Sequence, residues 1–150
     1  MPVITDSPVA YARDGTNGAV PAAAAFATEF DAIVATMSPF IEGGRAGRSA
    51  IMRPSFLPDA TIVGYVGDTL LSGSIEQLYG WIDENGPAPD IEARVAGVEI
   101  LNSIAMVRME FELWSGKLAG SGTHMSDVFT LVKTGDGWRI AHKCFHWHAQ

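Results

Sequence analysis

The chain has 150 residues, 47% of them hydrophobic and 18% charged, with a formal net charge of -7. That is one domain's length with enough apolar content for a core, so wholesale disorder is excluded. The acidic balance and the lack of any Lys/Arg run speak against a nucleic-acid partner or a membrane surface, and no apolar run approaches the ~20 residues of a membrane span. Cys144 is the single cysteine, which rules out an internal disulfide and fits a reducing compartment. The N-terminus lacks a basic region followed by an apolar core, so a cytoplasmic location is expected.

Residues 1–20 carry Pro2, Pro8, Gly15 and Gly18 without a clear period. They read as an N-terminal arm, leaving 21–150 as a single domain. Pro21 suits a first helical position, and a long helix is predicted to about Glu42, with Phe26, Phe30, Ile33, Val34, Met37 and Ile41 as its apolar stripe. Pro39 should bend its last turn, and Gly43-Gly44 should end it. Residues 45–56 predict a short second helix weakened by Pro54, and Thr61–Val66 a strand returning through Leu70 and Leu71. Ser74 with Gln77 forms a capping box for a third helix that stops at Gly86-Pro87.

Residues 91–114 are long enough for two strands joined near Asn102-Ser103. In the second, Ala105, Val107, Met109, Phe111 and Leu113 alternate with Met106, Arg108, Glu110, Glu112 and Trp114, so the charged set faces out. His124–Lys133 and Trp138–Trp147 then form a long hairpin around Thr134-Gly135-Asp136-Gly137. Uniform alternation puts Asp127, Phe129 and Leu131 on the same buried face as Trp138, Ile140, His142, Cys144, His146 and His148. Arg139 and Lys143 then point outward. The expected class is α+β: a curved antiparallel sheet wrapped on a long helix, with two shorter helices completing a cone whose interior is a natural ligand pocket.

Five stretches resemble the nuclear transport factor 2-like superfamily, and within it the group called "putative lumazine-binding". They are Pro39-Phe-Ile-Glu-Gly-Gly44, Phe56-Leu-Pro-Asp-Ala60, Gly73-Ser74, Ser126-Asp-Val-Phe-Thr-Leu-Val-Lys133 and Gly137-Trp-Arg-Ile-Ala-His-Lys143. The resemblance covers roughly residues 26–145 and implies the cone fold. It says little about chemistry, because that fold hosts isomerases, dehydratases, cyclases, hydrolases and binders without catalysis. His142 stands where such proteins often have Asn, and the His146-Trp147-His148 tail lies outside the pattern.

Asp127 on an apolar wall reads either as a general base with a tuned pKa or as a structural carboxylate holding backbone N–H groups, Lys or Arg. His142 and His146 read as proton shuttles or as satisfied core histidines. Tyr65, Tyr79, Trp81, Phe129 and Trp138 are candidates to hold a planar ligand, and core packing accounts for them as well. His146-x-His148 has a chelating spacing, with Asp127 as third ligand if it binds metal, although strand fraying so near the chain end is the plainer reading. Cys144 reads as a tuned thiol or as a small hydrophobe. Gly43-Gly44-Arg45-Ala46-Gly47 lacks the Lys-Ser/Thr of a phosphate loop.

The leading expectation is a binding protein or a non-metal enzyme of isomerase, dehydratase or cyclase type. Its pocket holds a small apolar or aromatic ligand, with Asp127, His142 and His146 as the polar groups and no cofactor. The alternatives are a filled, non-catalytic dimeric module and a metal-binding His-x-His site. An apolar outer sheet face, to which Trp114, Phe145 and Trp147 contribute, predicts a homodimer.

Overall fold

The computed structural model describes residues 22–116 and 120–148. The predicted arm, residues 1–20, lies outside the described residues. Three helices and six strands follow in the order α1 (Ala22–Ala46), α2 (Ser49–Met52), a 3₁₀ turn (Arg53–Ser55), β1 (Phe56–Val66), β2 (Thr69–Ser74), α3 (Glu76–Asn85), β3 (Glu92–Leu101), β4 (Ile104–Gly116), β5 (Gly120–Thr134) and β6 (Gly137–Trp147). The strands form one curved sheet in the order β2-β1-β6-β5-β4-β3. β1 and β6 run parallel and every other neighbouring pair is antiparallel. The α+β cone expected from the residues is the fold observed.

α1 buries Ile33, Met37 and Phe40 completely, whereas Phe26, expected in the same stripe, is exposed. Phe40 is the centre of the core, with edge-on contacts to Phe56, Phe111 and Phe129 at ring distances of 5.4–5.8 Å. Pro39 does not stop the helix, and a side chain repairs the ladder beside it. The Phe40 N–H donates to Ser55 Oγ at 3.1 Å, and Ser55 Oγ donates to the Thr36 carbonyl at 2.6 Å. Phe40 and Thr36 are an i, i−4 pair, so the hydroxyl is inserted into the helical ladder, a recognised origin of helix bending.

At its start α1 is tied to the β5–β6 hairpin through Glu29, which accepts hydrogen bonds from Trp138 Nε1 and Lys133 Nζ. α2 is capped from a distance: Asp83 on α3 accepts from the Ser49 N–H at 2.8 Å and from its hydroxyl at 2.7 Å. Those two donors hold the Asp83 carboxyl below its usual range.

Two bulges set the inner surface of the cone. In β4, Phe111 pairs with Met125 but Trp114 pairs with Thr123, so one extra residue is inserted. Leu113 takes a positive φ of 57° and becomes exposed, and Trp114 turns inward to 2% exposure. In β6, Ile140 pairs with Leu131 but His142 pairs with Thr130, leaving Ala141 as the extra residue. Beyond a bulge of this kind the side chains exchange faces. Trp138 and Ile140 point inward before it, and Lys143, Phe145 and Trp147 do so after it.

Gly64 makes room for the second switch. It sits opposite Phe145, and a Cβ there would meet the Phe145 carbonyl oxygen at 2.4 Å and its ring at 2.5 Å.

Candidate functional site

β5 keeps one parity along its length, so Met125, Asp127, Phe129 and Leu131 all face the interior. Asp127 is fully buried, and after the Ala141 bulge the side chain that meets it is Lys143, itself only 3% exposed. Lys143 lies directly across from Phe129, two positions along from the Asp127–Phe145 pair, with Val128–Cys144 between them. From there its Nζ reaches diagonally to Asp127 Oδ2 at 3.1 Å. The contact is an ion pair outside hydrogen-bond alignment, and neither carboxylate oxygen has a hydrogen-bond partner among the described residues. Desolvation pushes the Asp127 carboxyl above its ordinary value; the lysine opposes that, and Glu110 adds to it. Three rings surround the Lys143 Nζ, with Phe145 at 4.6 Å, Phe40 at 5.7 Å and Phe129 at 5.9 Å.

Lys143 also lines a cavity of about 160 Å³ between α3 and the inner face of the sheet. Its walls are mainly apolar, with Ile62 on β1, Leu78 and Trp81 on α3, Trp114 on β4, and Phe145 and Trp147 on β6. Trp81 and Trp147 meet edge-on at 5.9 Å. Trp114 Nε1 is buried and has no acceptor among the described residues. Asp127 is not on the wall itself but stands behind Lys143. The cavity therefore offers an apolar chamber, one amine, and a carboxyl that can exchange a proton with it. An empty apolar chamber of ~150 Å³ suits a molecule about the size of benzene.

The three histidines expected inside, His142, His146 and His148, lie on the outer face, because the expectation assumed unbroken alternation through β6 and Ala141 breaks it. His142 is half-buried there, with Nδ1 2.7 Å from Thr61 Oγ1. His146 and Cys144 are exposed on the same face. Asp127 is separated from His146 and His148 by the sheet, so the proposed Asp127–His relay and the Asp127–His146–His148 metal set do not form. Tyr65 is likewise outward, 50% exposed, at the register position of His146.

Tyr79 is buried, but against Phe56 and beneath the Arg53 guanidinium at 4.2 Å, away from the cavity. Burial pushes its hydroxyl up to about 12. Phe129 packs in the core on Phe40. Trp138 lines a second, more open groove of about 560 Å³ beside the start of α1. Of the five candidate ligand-binding residues, Trp81 alone is on the Lys143 chamber.

Lys143 is the residue that unbroken alternation misses. Its signal lies in the strand's own pattern: Phe145 and Trp147 share its parity, while Trp138 and Ile140 have the opposite one. Two apolar pairs in conflicting phase within eleven residues require a bulge between them.

A curved sheet closed over one long helix, with its chamber at the far end of the cone, defines the nuclear transport factor 2-like class. Two solved structures described as such proteins of unknown function are similar to this chain. The one from Methylobacillus flagellatus KT is 34% identical, with a TM-score of 0.76 over 87% of this chain and 98% of its own. The one from Shewanella baltica OS155 is 33% identical, with a TM-score of 0.74 over 83% and 98%. Residues 28–146 match the model of the family described as "Putative lumazine-binding", and the chain belongs to that family. Aldolase FrzH of Cladobotryum sp is 29% identical over 119 residues, 79% of this chain and 91% of the relative. Among the described residues no helix is long and apolar enough to cross a membrane.

Proposed function

We propose that the protein binds a small, largely apolar carbonyl compound in the Lys143 chamber and acts on it as an enzyme of the aldol class. The observation that carries this reading is a primary amine on the wall of an apolar cavity, 3.1 Å from a fully buried carboxyl. An amine in such a setting is suited to covalent catalysis on carbonyls. The aldolase name of the Cladobotryum relative supports the same class.

The step balances without an outside reagent. The Lys143 ammonium first passes one proton to the Asp127 carboxylate, and the free Nζ forms a C–N bond to the carbonyl carbon. The C–O bond then breaks. Asp127 returns its proton and Nζ supplies another, so the products are an iminium and one water. The iminium acidifies the neighbouring C–H, and the water released in the condensation relays that proton from the chamber to the Asp127 carboxylate behind Lys143. A carboxyl whose affinity for protons is raised by burial suits both duties.

The test is reductive trapping with cyclohexanone and cyanoborohydride, followed by peptide mapping. The expected result is a reduced adduct on Lys143 that is absent from Lys143→Arg. No adduct there, or adducts confined to Lys117 and Lys133, would reject the reading.

A second reading has its own observation. Three aromatic rings within 5.9 Å of Nζ hold an ammonium well, which favours a structural ion pair inside a module without catalysis. We also infer a two-fold homodimer through the outer sheet face, supported by exposed Leu101, Ile104, Met106 and Val128. The exposed free thiol of Cys144 supports a reducing, cytoplasmic setting.

A further inference from the structure

On the face of the sheet opposite the Lys143 chamber, three strands bring a different set of donors together. We propose that Glu110, His124 and His148 form a binding site for a zinc-like divalent transition metal. The three come from β4, β5 and the residue just after β6. Glu110 pairs with Ser126, Ser126 pairs with His146, and the His148 N–H donates to the His124 carbonyl at 3.0 Å. These registers place all three side chains on the outer face within two rows of the sheet.

The donor atoms already converge. His124 Nε2 lies 2.7 Å from Glu110 Oε2, and the Ser126 hydroxyl donates to that same oxygen at 2.7 Å. His148 Nε2 is 2.8 Å from Ser126 Oγ. The two imidazoles stack at 4.2 Å with 14° between their planes. One ligand atom from each of the three residues lies within 4.8 Å of the others. Bonds of ~2.0–2.2 Å to a common ion need donors somewhat closer than that, and rotation of the exposed His124 ring supplies the difference.

Two imidazole nitrogens and one carboxylate oxygen make a donor set that zinc, iron(II) and nickel accept, and that magnesium or calcium would not choose. Three protein ligands leave a position for water or a small anion, the arrangement of an open site rather than a closed structural one. The partners around the set orient it. Arg108 pairs with the other Glu110 oxygen, Oε1, and the Ser126 hydroxyl donates to Oε2, so the carboxylate is held from both sides. Outer partners of this kind fix the ring and carboxylate orientations of metal sites.

His146, whose ring meets His148 edge-on at 4.6 Å, is a neighbour of the site and not one of its ligands. The site does not depend on the Lys143 chemistry, since the sheet separates the two.

The experiment uses the full chain without a polyhistidine tag, stripped with EDTA and titrated with zinc against a chromophoric chelator. Wild type should take up one equivalent. His124→Ala, His148→Ala and Glu110→Ala should each weaken binding by more than the roughly 10–100-fold typical of lost outer partners, with melting temperatures in EDTA unchanged. His146→Ala and Cys144→Ser should bind like wild type. Less than one equivalent in wild type, unchanged affinity in the three ligand variants, or an equal loss in His146→Ala would overturn the assignment.

Discussion

Lys143 Nζ stands 3.1 Å from Asp127 Oδ2 with both side chains sealed from solvent, the lysine side chain 4% exposed and the aspartate 0%. Removing one partner of such a pair strands the other charge, which typically costs about 3–5 kcal/mol. Asp127→Asn keeps the shape and loses the charge, leaving an ammonium with a neutral amide and aromatic faces in place of its counter-charge. We expect a loss in that range in urea unfolding. The double variant Asp127→Asn/Lys143→Met should be more stable than Asp127→Asn alone, because the stranded charge is gone. A double variant showing the plain sum of the single losses would mean the two side chains are not coupled.

The pair also predicts a pH dependence of definite sign. Burial raises the Asp127 carboxyl above its ordinary value, and Lys143 is the principal influence pulling it down. A group whose folded-state pKa lies above its unfolded value stabilises fully below the unfolded value, ~3.9 for Asp, and loses that contribution as pH rises through the folded one. Lys143→Met removes the opposing influence, so this loss should be larger and should extend to higher pH. Urea midpoints at pH 5 and pH 8 should differ more in Lys143→Met than in wild type, with the variant favoured at pH 5. Parallel profiles for the two proteins would contradict the raised carboxyl.

Ser55 offers a separate test on the helix. Its hydroxyl satisfies both the Phe40 N–H and the Thr36 carbonyl beside Pro39. Ser55→Ala leaves a buried backbone donor with no acceptor, at a cost of ~1–3 kcal/mol. The expected result is a lower unfolding midpoint with an unchanged far-ultraviolet spectrum. Pro39→Ala in the same background should recover part of the loss, since it restores a helical N–H. Full stability in Ser55→Ala would show that α1 can close its own ladder without the hydroxyl.

Much of this architecture is legible from the residues because most elements carry a single uninterrupted period. β5 alternates in one phase from Thr123 to Leu131, which is why Asp127 reads correctly as an inward carboxylate. The β3–β4 turn at Asn102-Ser103 and the stop at Gly86-Pro87 follow from local chemistry in the same way. The chamber is less legible because it is built where periods change. Leu113 and Ala141 each add one residue to a strand, and neither Leu nor Ala marks a bulge as a glycine would. Each shift reverses every side chain beyond it, so Trp114, Lys143, Phe145 and Trp147 exchange places with Leu113, His142, Cys144 and His146. The Glu110–His124–His148 cluster depends on those same registers across three strands, and pairing of that range is not written in any one segment.

Trp138 tests the other end of the cone. It is 2% exposed, its Nε1 donates to Glu29 Oε2 at 2.6 Å, and its carbonyl accepts from Thr36 Oγ1 at 3.3 Å. It therefore links the hairpin to α1 by packing and by hydrogen bonds. Trp138→Ala should cost ~3–5 kcal/mol, read as failure to fold or a much lower denaturation midpoint. Trp138→Phe, which retains most of the volume but loses the hydrogen bond to Glu29, should fall between the two. A midpoint for Trp138→Ala near wild type would mean that α1 is held without this contact.

The last prediction concerns assembly. Trp114, Phe145 and Trp147 turn inward, so three aromatics expected on the outer sheet face do not contribute to it. What remains is still substantial: Leu101 beside Ile104, Met106 across from Thr130, and Val128 next to Arg108, with the large apolar members all exposed. Leu101, Ile104, Met106 and Val128 occupy three adjacent strands, and their contiguity suits a self-complementary contact about a two-fold axis. Charge in the middle of that patch should separate the copies while leaving the core alone. Sedimentation equilibrium at micromolar concentration should give a dimer mass for wild type and a monomer mass for Met106→Glu and Val128→Arg, with melting temperatures close to wild type at high dilution. A monomeric wild type rejects the dimer. A wild-type dimer that persists in both variants would move the interface elsewhere, to the exposed edge strands β2 and β3.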